Sequence, residues 1–428
     1  MNGAKNILRR LVPSSLLSFL ELIFRRTRSI LIVLLNGNQA RGIKVIAITG
    51  TNGKTSTASF TNQILKKLGY KTAIYTTVYS EVDGNYSENK THMTISSAKV
   101  IQVFFAKAKK AKVDWVVLEV TSHALDQYRT YGIKVDIAML TNLSQDHLDY
   151  HGSMDNYAKA KSKLLTDYGA KNIILNSDDE WFEYFKSKSP SSVTSIGKKN
   201  ADFTLKNIEV TNSGSKYDFS YKGNVYHVKT PVIGEFNVYN TSFAILASHF
   251  TGKSLEDTIR AASEISGVAG RLERVDAGQD FEVIVDYAHT PDALKNVLIA
   301  GREVCSSKLR LVFGATGDRD KGKRVPMGEV AAKYADVVYL TDDETYTENG
   351  DLIRKKVLEG INSAKHKSEV MEIPDRMDAI RAAFKDSEKG DVVILAGIGH
   401  EDYRNMGGKK MPWSEVEISK KLLKELKK

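Results

Sequence analysis

The sequence predicts two α/β domains in tandem, each with a mostly parallel sheet covered by helices, after a short helical segment. Short β-rich runs alternate with helical stretches from residue 44 onward, and a second such series begins near residue 270. The length of 428 residues also exceeds that of one ordinary domain. The predicted units are a helical segment at 1–43, a central domain at 44–268 and a C-terminal domain at 269–428.

The N-terminal segment is basic and partly apolar. Residues 1–44 hold eight Lys and Arg residues against the single Glu21, which is +7 of the total net charge of +10. Two apolar runs are separated by Arg25, Arg26 and Arg28, and neither reaches the ~20 residues that span a bilayer. We expect one or two helices lying against the central domain. Peripheral membrane contact through residues 1–40, by an interfacial helix attracted to anionic lipid, stays open.

Composition excludes several classes of protein. The single cysteine, Cys305, excludes an internal disulfide and predicts a reducing, cytoplasmic location. No cleavage site typical of a secretory signal is present. Because the chain beyond residue 44 is near charge balance, no nucleic-acid partner is expected.

The first alternating series defines the central domain. β-runs at Lys44–Thr49, Trp115–Val120, Val135–Leu140 and Asn172–Leu175 with helices between them predict a mostly parallel sheet. Residues 203–230 alternate polar and apolar side chains between turn signals, which indicates antiparallel hairpins at a sheet edge. Helices are predicted at 237–249 and 255–266.

A phosphate-binding loop follows the first β-run. The loop and helix start comprise Gly50, Thr51, Asn52, Gly53, Lys54, Thr55 and Ser56. Backbone N–H groups at a helix N-terminus bind anions, Lys54 can reach the β and γ phosphates of ATP, and Thr55 can ligate Mg²⁺. Ile48 occupies the first glycine position of the standard spacing, so the shorter Gly-Thr-Asn-Gly-Lys-Thr pattern applies. The sequence therefore predicts a phosphate-binding loop in the central domain, of the P-loop type that ATPase-type domains have.

The second series predicts a Rossmann-like C-terminal domain. Its β-runs are Glu282–Asp286, Leu309–Phe313, Val337–Leu340 and Val392–Ala396, with helices between them and one at the C-terminus. The boundary between the two domains is expected at 267–271.

Eight segments carry a family resemblance. They are TGTNGKTST (49–57), LEVTSHALDQYR (118–129), TNLSQDHLDYHGSMDNYAKAK (141–161), GEFNVYN (234–240), GRLERV (270–275), VDYAHTPDAL (285–294), GDRDKGKR (317–324) and LAGIGHEDYR (395–404). Their types and order resemble the Mur ligases of cell-wall synthesis, most closely the branch that adds the third residue of the wall peptide. The resemblance implies an ATP-dependent ligase that joins an amino acid to the carboxylate of a UDP-N-acetylmuramoyl-dipeptide-like acceptor through an acyl phosphate, in peptidoglycan precursor synthesis.

The resemblance also implies roles for individual residues. The matching catalytic positions are Lys54, Glu119, His147 and Lys161. Thr55, Glu119 and His147 would ligate Mg²⁺ together with Lys161, which in the family is carbamylated by CO₂. The ATP positions outside the phosphate loop are Asn237 and Asn240 for adenine, Arg271 for the γ-phosphate, and Asp286 and His289 for the nucleotide. The acceptor positions are Thr121, Ser122, Gln127 and Arg129, and the amino-acid positions are Asp342, Asp343, Thr345, Gly397 and Glu401.

Two segments depart from the family pattern. Enzymes that select meso-diaminopimelate carry Asp-Asn-Pro-Arg where this chain has residues 342–345 (DDET), so the arginine that clamps the distal carboxylate is replaced by Thr345. We therefore expect another amino acid, such as L-lysine. About forty residues precede the ATP loop, and residues 91–96 (THMTIS) lack the family's Thr-Thr-Pro. The nucleotide end of the acceptor could be held differently, held by a partner, or be absent.

Two other functions stay open at this point. The first is a folylpolyglutamate-type ligase, which the segments at 285–294 and 395–404 fit less well. The second is a Mur-like subunit of a wall-modifying complex without ligase activity, which retention of Lys54, Glu119, His147 and Lys161 argues against.

Overall fold

The computed structural model describes residues 14–89, 93–365 and 368–426. Within these ranges the strands form three sheets, of eleven, six and two strands. The two larger sheets follow one another along the chain, as the two alternating series predict.

The first sheet combines a parallel centre with antiparallel edges. Its strands are β1 (Lys44–Thr49), β2 (Thr72–Tyr75), β3 (Tyr79–Val82), β4 (Asn85–Glu88), β5 (Trp115–Glu119), β6 (Ile137–Leu140), β7 (Asn172–Asn176), β8 (Val193–Gly197), β9 (Phe203–Thr211), β10 (Gly214–Tyr221) and β11 (Asn224–Thr230). Their spatial order is β11-β10-β9-β8-β7-β6-β1-β5-β2-β3-β4. The antiparallel hairpins predicted for 203–230 are confirmed as β9, β10 and β11 at one edge.

β1 lies at the centre of this sheet, paired in parallel with β5 on one side and β6 on the other. Five of its six residues are buried, which explains why its apolar run is nearly continuous instead of alternating. The carboxyl ends of β1, β5 and β6 therefore meet at one edge, where ligands bind in open α/β sheets.

Helices cover both faces of this sheet. They are α1 (Ser14–Asn36), α2 (Lys54–Lys67), α3 (Ala98–Lys110), α4 (Ser122–Asp126), α5 (Leu148–His151), α6 (Met154–Thr166), α7 (Phe182–Lys188), α8 (Glu235–His249) and α9 (Leu255–Ala262). One apolar core contains Phe60 of α2 and Phe243 of α8, and the core on the opposite face contains Phe105 of α3 and Leu165 of α6.

The described part of the N-terminal segment contains a single helix, α1, of 23 residues. It lies against the central unit, as predicted. Arg26 forms an ion pair with Asp126 at 2.8 Å, and Ser29 Oγ donates a hydrogen bond to the Gln127 carbonyl oxygen. Residues 1–13 lie outside the described part of the chain.

The second sheet is parallel apart from one short edge strand. It contains β12 (Glu273–Arg274), β13 (Glu282–Asp286), β14 (Leu309–Phe313), β15 (Val337–Leu340), β16 (Glu369–Glu372) and β17 (Val392–Ala396), in the spatial order β12-β13-β17-β14-β15-β16. Its helices are α10 (Pro291–Val304), α11 (Arg324–Tyr334), α12 (Gly350–Ser363), α13 (Arg376–Lys385) and α14 (Glu415–Leu426), and the hairpin β18 (Tyr403–Met406) and β19 (Lys409–Pro412) forms the third sheet. The predicted strands of this series are confirmed.

None of the helices in the described ranges combines the length and apolarity needed to cross a bilayer.

Candidate active site

A cleft of about 1040 Å³ lies between the two large sheets. One wall is made by loops that follow β1, β5 and β6, and the other by loops that follow β13, β14, β15 and β17. The walls also touch directly, because Asn52 Nδ2 donates a 2.7 Å hydrogen bond to Asp292 Oδ2 at the start of α10. The phosphate loop therefore faces the second α/β unit across the cleft.

The phosphate loop is pre-formed by its backbone. Gly53 precedes α2 in the left-handed conformation, with φ of 80°, and a Cβ at this position would clash with Asn240 Oδ1. The Thr51 and Asn52 amides donate to the backbone carbonyl and the side chain of Asn142. Lys54 Nζ donates to the Thr51 carbonyl at 2.7 Å. Burial is the main cause of the lowered pKa of Lys54, and nearby carboxylates oppose that effect.

Oxygen ligands for a divalent cation lie beside this loop. Thr55 Oγ1 donates a 3.0 Å hydrogen bond to Glu119 Oε2. The other Glu119 oxygen accepts from Thr77 Oγ1, and the Thr77 amide also donates to Glu119. A hydroxyl and a carboxylate are the hard ligands that Mg²⁺ prefers, so this pair fits the ion. Among the described residues, no group of three or more His, Cys, Asp and Glu side chains is arranged to hold a metal.

Lys161 lies beneath the phosphate loop. Its side chain is 1% exposed, and Nζ donates to the Gly50 carbonyl at 2.6 Å and lies 4.5 Å from the centre of the Tyr157 ring. Burial first, and the charge of Lys54 second, hold the pKa of Lys161 well below its ordinary 10.5. Its amine is therefore neutral at lower pH than that of a solvated lysine.

Histidines surround a buried carboxylate at the centre of the site. His147 Nε2 lies 3.3 Å from Asp146 Oδ2, and His289 of the opposite wall lies 3.9 Å from the same oxygen. The ring of His123 packs edge-on against His147 at 4.8 Å. Burial lowers the pKa of His147 to about 3 and those of His123 and His289 to about 4. These imidazoles are neutral at pH 7 and can accept hydrogen bonds.

The second wall contributes cations to the cleft. Arg271 lies over the Tyr287 ring at 4.6 Å, and its buried Nε has no hydrogen-bond partner among the described residues. An unpaired buried donor in a polar cleft fits an anionic ligand such as a phosphate. Asp286 accepts from the Leu272 amide, and burial raises its pKa against the effect of Arg271.

The two asparagines predicted to contact adenine are hydrogen-bonded to each other and brace the phosphate loop from below. Asn237 Nδ2 donates to the Ile233 carbonyl, and its Oδ1 accepts from Asn240. Asn240 Oδ1 accepts from Thr57 Oγ1, and Asn240 also lines the cleft, whereas Asn237 does not. Both ends of the Asn237 amide are thus hydrogen-bonded inside the protein, and its contact with adenine stays a prediction.

Two of the four predicted acceptor residues line the cleft, namely Thr121 and Arg129. Ser122 is buried and bonded to His151 Nε2. Gln127 is also buried, and its Oε1 accepts from Nε and Nη2 of Arg129. Gln127 therefore orients the Arg129 guanidinium instead of facing the cleft.

The residues predicted to bind the incoming amino acid also divide into those that line the cleft and those that do not. Asp343, Gly397 and Glu401 line the cleft. Asp342 does not, because it is held in an ion pair with Arg354, and Thr345 Oγ1 accepts from the Gly407 amide outside the lining.

Other residues of the cleft had no role assigned from the sequence. They include Asp146, His123, Asp292, Arg319, Lys323, Glu344 and Tyr287. Arg319 and Lys323 lie in the segment GDRDKGKR, so that segment was the available signal. Asp292 lies in the segment VDYAHTPDAL, but its contact with Asn52 gave no local signal, because the two residues are 240 positions apart along the chain.

The phosphate loop faces a second α/β unit across a cleft that is lined by carboxylates and cationic side chains. This arrangement defines a nucleotide-dependent enzyme. The model of the Mur ligase middle domain matches residues 48–248, and that of the Mur ligase, glutamate ligase domain matches residues 270–399. The chain belongs to the Mur ligase family, whose members are ATP-dependent ligases that form amide bonds.

Two relatives that are similar to this chain have the same enzyme name. UDP-N-acetylmuramoyl-L-alanyl-D-glutamate–2,6-diaminopimelate ligase of Syntrophomonas wolfei is 38% identical over 392 residues, which cover 91% of this chain and 80% of the relative. The enzyme of that name from Bacillus licheniformis is 38% identical over 417 residues, or 95% and 84% of the two chains.

Solved structures agree with the fold. A structure of a ligase with the same name has a TM-score of 0.64 at 29% identity and covers 92% of this chain and 81% of its own. Folylpolyglutamate synthase of Mycobacterium tuberculosis, with ADP and AMPPCP, has a TM-score of 0.71 at 20% identity and covers 89% and 96%. The second match shows the fold alone.

Proposed function

We propose that this protein joins an amino acid to the free carboxylate of a muramoyl-dipeptide acceptor, at the third-residue step of peptidoglycan precursor synthesis. The names of the relatives support this step. The observation that carries the proposal is that one cleft contains the phosphate loop, the Arg129 guanidinium and the carboxylates of Glu344 and Glu401. These groups suit ATP, a carboxylate acceptor and an amine donor.

The reaction begins when an acceptor carboxylate oxygen attacks the γ-phosphorus of ATP, forming an acyl phosphate and ADP. This step mainly requires charge neutralisation and alignment. Lys54 and the loop amides would bind the phosphates from one wall, and Arg271 would meet them from the other. Arg129, fixed by Gln127, would orient the acceptor through paired hydrogen bonds.

Mg²⁺ would be held by Thr55 and Glu119, with His147 nearby, and when bound it would neutralise phosphate charge. We also propose that Lys161 carries a CO₂-derived carbamate, which would turn a buried cation into an anion beside the metal site. The lowered pKa supports this, because only a neutral amine reacts with CO₂.

The amide forms when the amino group of the incoming amino acid attacks the acyl carbon and phosphate leaves. Asp343, Gly397 and Glu401 would border that amino acid. Water would hydrolyse the acyl phosphate, so the cleft must exclude it. The contact between Asn52 and Asp292 supports closure of the two walls over the nucleotide.

Further assignments belong to the same proposal. The units are 1–43, 44–268 and 269–428, and the location is the cytoplasm. Asn240 and Asn237 would support the nucleotide site through the loop that they brace. Asp286 and His289 would contact the nucleotide from the second wall. Residues 1–40 would touch a membrane peripherally.

An amino-acid screen tests this function. Phosphate release from ATP is measured with UDP-N-acetylmuramoyl-L-alanyl-D-glutamate and each amino acid in turn. We expect release only when acceptor and one preferred amino acid are both present. Release with a folate and glutamate, but not with the muramoyl acceptor, would overturn the proposal in favour of a folylpolyglutamate-type ligase.

A further inference from the structure

Helix α1 presents an apolar face to solvent. Among the side chains of α1 that the structure describes, six large apolar ones are 44–84% exposed, namely Leu20, Ile23, Phe24, Leu31, Leu34 and Leu35. Their spacing of three, one, seven, three and one residues places them on one side of the helix. A contiguous exposed apolar face of this kind marks a protein or membrane interaction site.

The opposite face of α1 is the one docked on the protein. Ser29 is 6% exposed and Val33 is 4% exposed. Arg26 donates to the Asp126 carboxylate and carbonyl, each at 2.8 Å, and lies over the Tyr128 ring at 5.0 Å. These contacts hold the helix with its more apolar side outward, so the exposed face is a consequence of specific docking.

The surroundings of this face are basic. Arg25 and Arg28 are exposed, and the only acidic residue of α1, Glu21, is paired with Arg25. Helix α3, which packs against α1, contains four lysines and no acidic residue. Apolar side chains flanked by cations complement an anionic bilayer, where the helix lies in the interface and the cations meet lipid phosphates.

The contacts of the docked face connect α1 with the residues that are expected to bind the acceptor. Asp126, the partner of Arg26, also accepts from Tyr150 and Lys163. The next residue, Gln127, accepts from Ser29 through its carbonyl and from Arg129 through its side chain. Only one residue therefore separates α1 from the guanidinium that lines the acceptor wall.

We propose that α1 lies in the interface of an anionic membrane and that the acceptor used there is lipid-linked, with its sugar-phosphate end on a polyprenyl chain. This rests on the proposed ligase function. An acceptor with an apolar chain is concentrated in the same interface as the helix, whereas a soluble nucleotide acceptor is not. The helix positions the acceptor wall of the cleft next to that interface.

Vesicle binding tests the surface. The full chain is sedimented with vesicles of phosphatidylglycerol and phosphatidylcholine and with vesicles of phosphatidylcholine alone. We expect binding to the anionic vesicles, a loss of at least tenfold in the double variant F24D/L31D, and no loss in the control L352D, whose leucine is 61% exposed on α12. No vesicle binding, or a dimer that F24D/L31D converts to monomers, would overturn the proposal in favour of a protein occupant.

Kinetics test the acceptor. Muramoyl-dipeptide carried by a polyprenyl pyrophosphate in the anionic vesicles is compared with the UDP-linked form in solution. We expect at least tenfold higher kcat/KM for the lipid-linked form, which F24D/L31D removes without changing the rate on the UDP-linked form. Equal use of both forms, or use of the UDP-linked form alone, overturns the lipid-linked acceptor. No turnover of either form would instead contradict the ligase function on which it rests.

Discussion

Lys161 Nζ donates a 2.6 Å hydrogen bond to the carbonyl oxygen of Gly50, the first residue of the phosphate loop. The lysine is thus buried directly under the residues expected to bind ATP. Burial and the nearby Lys54 lower its pKa, which favours the neutral amine. This relationship connects a helix 111 residues away along the chain to the chemistry of the loop.

Replacement of Lys161 should remove activity, and an added carboxylate should restore part of it. We expect Lys161→Ala to lose about a hundredfold or more in turnover, because the proposed carbamate places charge next to the metal site. Short carboxylic acids should restore part of the rate by supplying an anion. The control is Lys159→Ala, whose lysine is exposed on the same helix. Full activity of Lys161→Ala would refute the carbamate.

Lys54 is expected to act on the phosphates of ATP. The variant Lys54→Ala should lose about a hundredfold or more in phosphate release, since a preorganised charge would be missing from phosphoryl transfer. Its circular dichroism and unfolding midpoint should match the parent. The control is Lys67→Ala, which lies on the same helix as Lys54. Lys67 forms an exposed ion pair with Glu264, and its replacement should leave the rate unchanged. Normal release by a folded Lys54→Ala protein would remove the phosphate-loop assignment.

Meso-diaminopimelate should not be the preferred amino acid. Arg404 cannot replace the missing arginine as clamp while its Nε and Nη2 donate to the carbonyls of Asp342 and Asp343. A lost charged hydrogen bond is worth about 1.5–3 kcal/mol, so L-lysine should exceed meso-diaminopimelate by roughly tenfold to a hundredfold in kcat/KM.

Variants at the carboxylates of the cleft extend this comparison. Glu401→Gln should reduce the advantage of L-lysine over an amino acid with one amino group, whereas Glu369→Gln, at an exposed strand position, should not. A ranking of the parent with meso-diaminopimelate first by a wide margin would contradict the preference and point to another cation in the cleft.

The buried histidines should make the fold sensitive to acid. His123 and His147 have pKa values of about 4 and 3 in the protein, against 6.5 for an ordinary histidine. The unfolded chain therefore binds more protons below pH 6.5, and the free energy of unfolding should fall as pH decreases from 6.5 toward 4. Urea titrations at several pH values should show a shallower fall for His123→Gln. A slope for His123→Gln that is identical to that of the parent would contradict this explanation.

Local patterns predicted the strands well, because buried parallel strands have nearly continuous apolar runs. β1 and the phosphate loop were placed by sequence alone, as were the hairpins at 203–230. The paths of the loops around the cleft were not predictable in this way. Asn237 and Thr345 matched motif positions, yet their side chains are engaged by Ile233, Asn240 and Gly407, contacts that depend on tertiary packing.

The outward apolar face of α1 also could not be derived from spacing. Helical periodicity predicts that an apolar face exists, but not which side packs on the protein. The choice depends on Arg26 and Ser29, whose partners Asp126 and Gln127 lie about a hundred residues further along the chain.

Transfer of an oxygen isotope from acceptor to phosphate tests whether the reaction passes through an acyl phosphate. The free carboxylate of the muramoyl-dipeptide acceptor is labelled with ¹⁸O, and the reaction is run with ATP and the preferred amino acid. If the carboxylate attacks the γ-phosphorus and an amine later displaces phosphate, one labelled oxygen must leave in inorganic phosphate for each amide formed. We expect this one-to-one transfer. Unlabelled phosphate, with both labelled oxygens kept by the acceptor, would show simple ATP hydrolysis and contradict a ligase that works through an acyl phosphate.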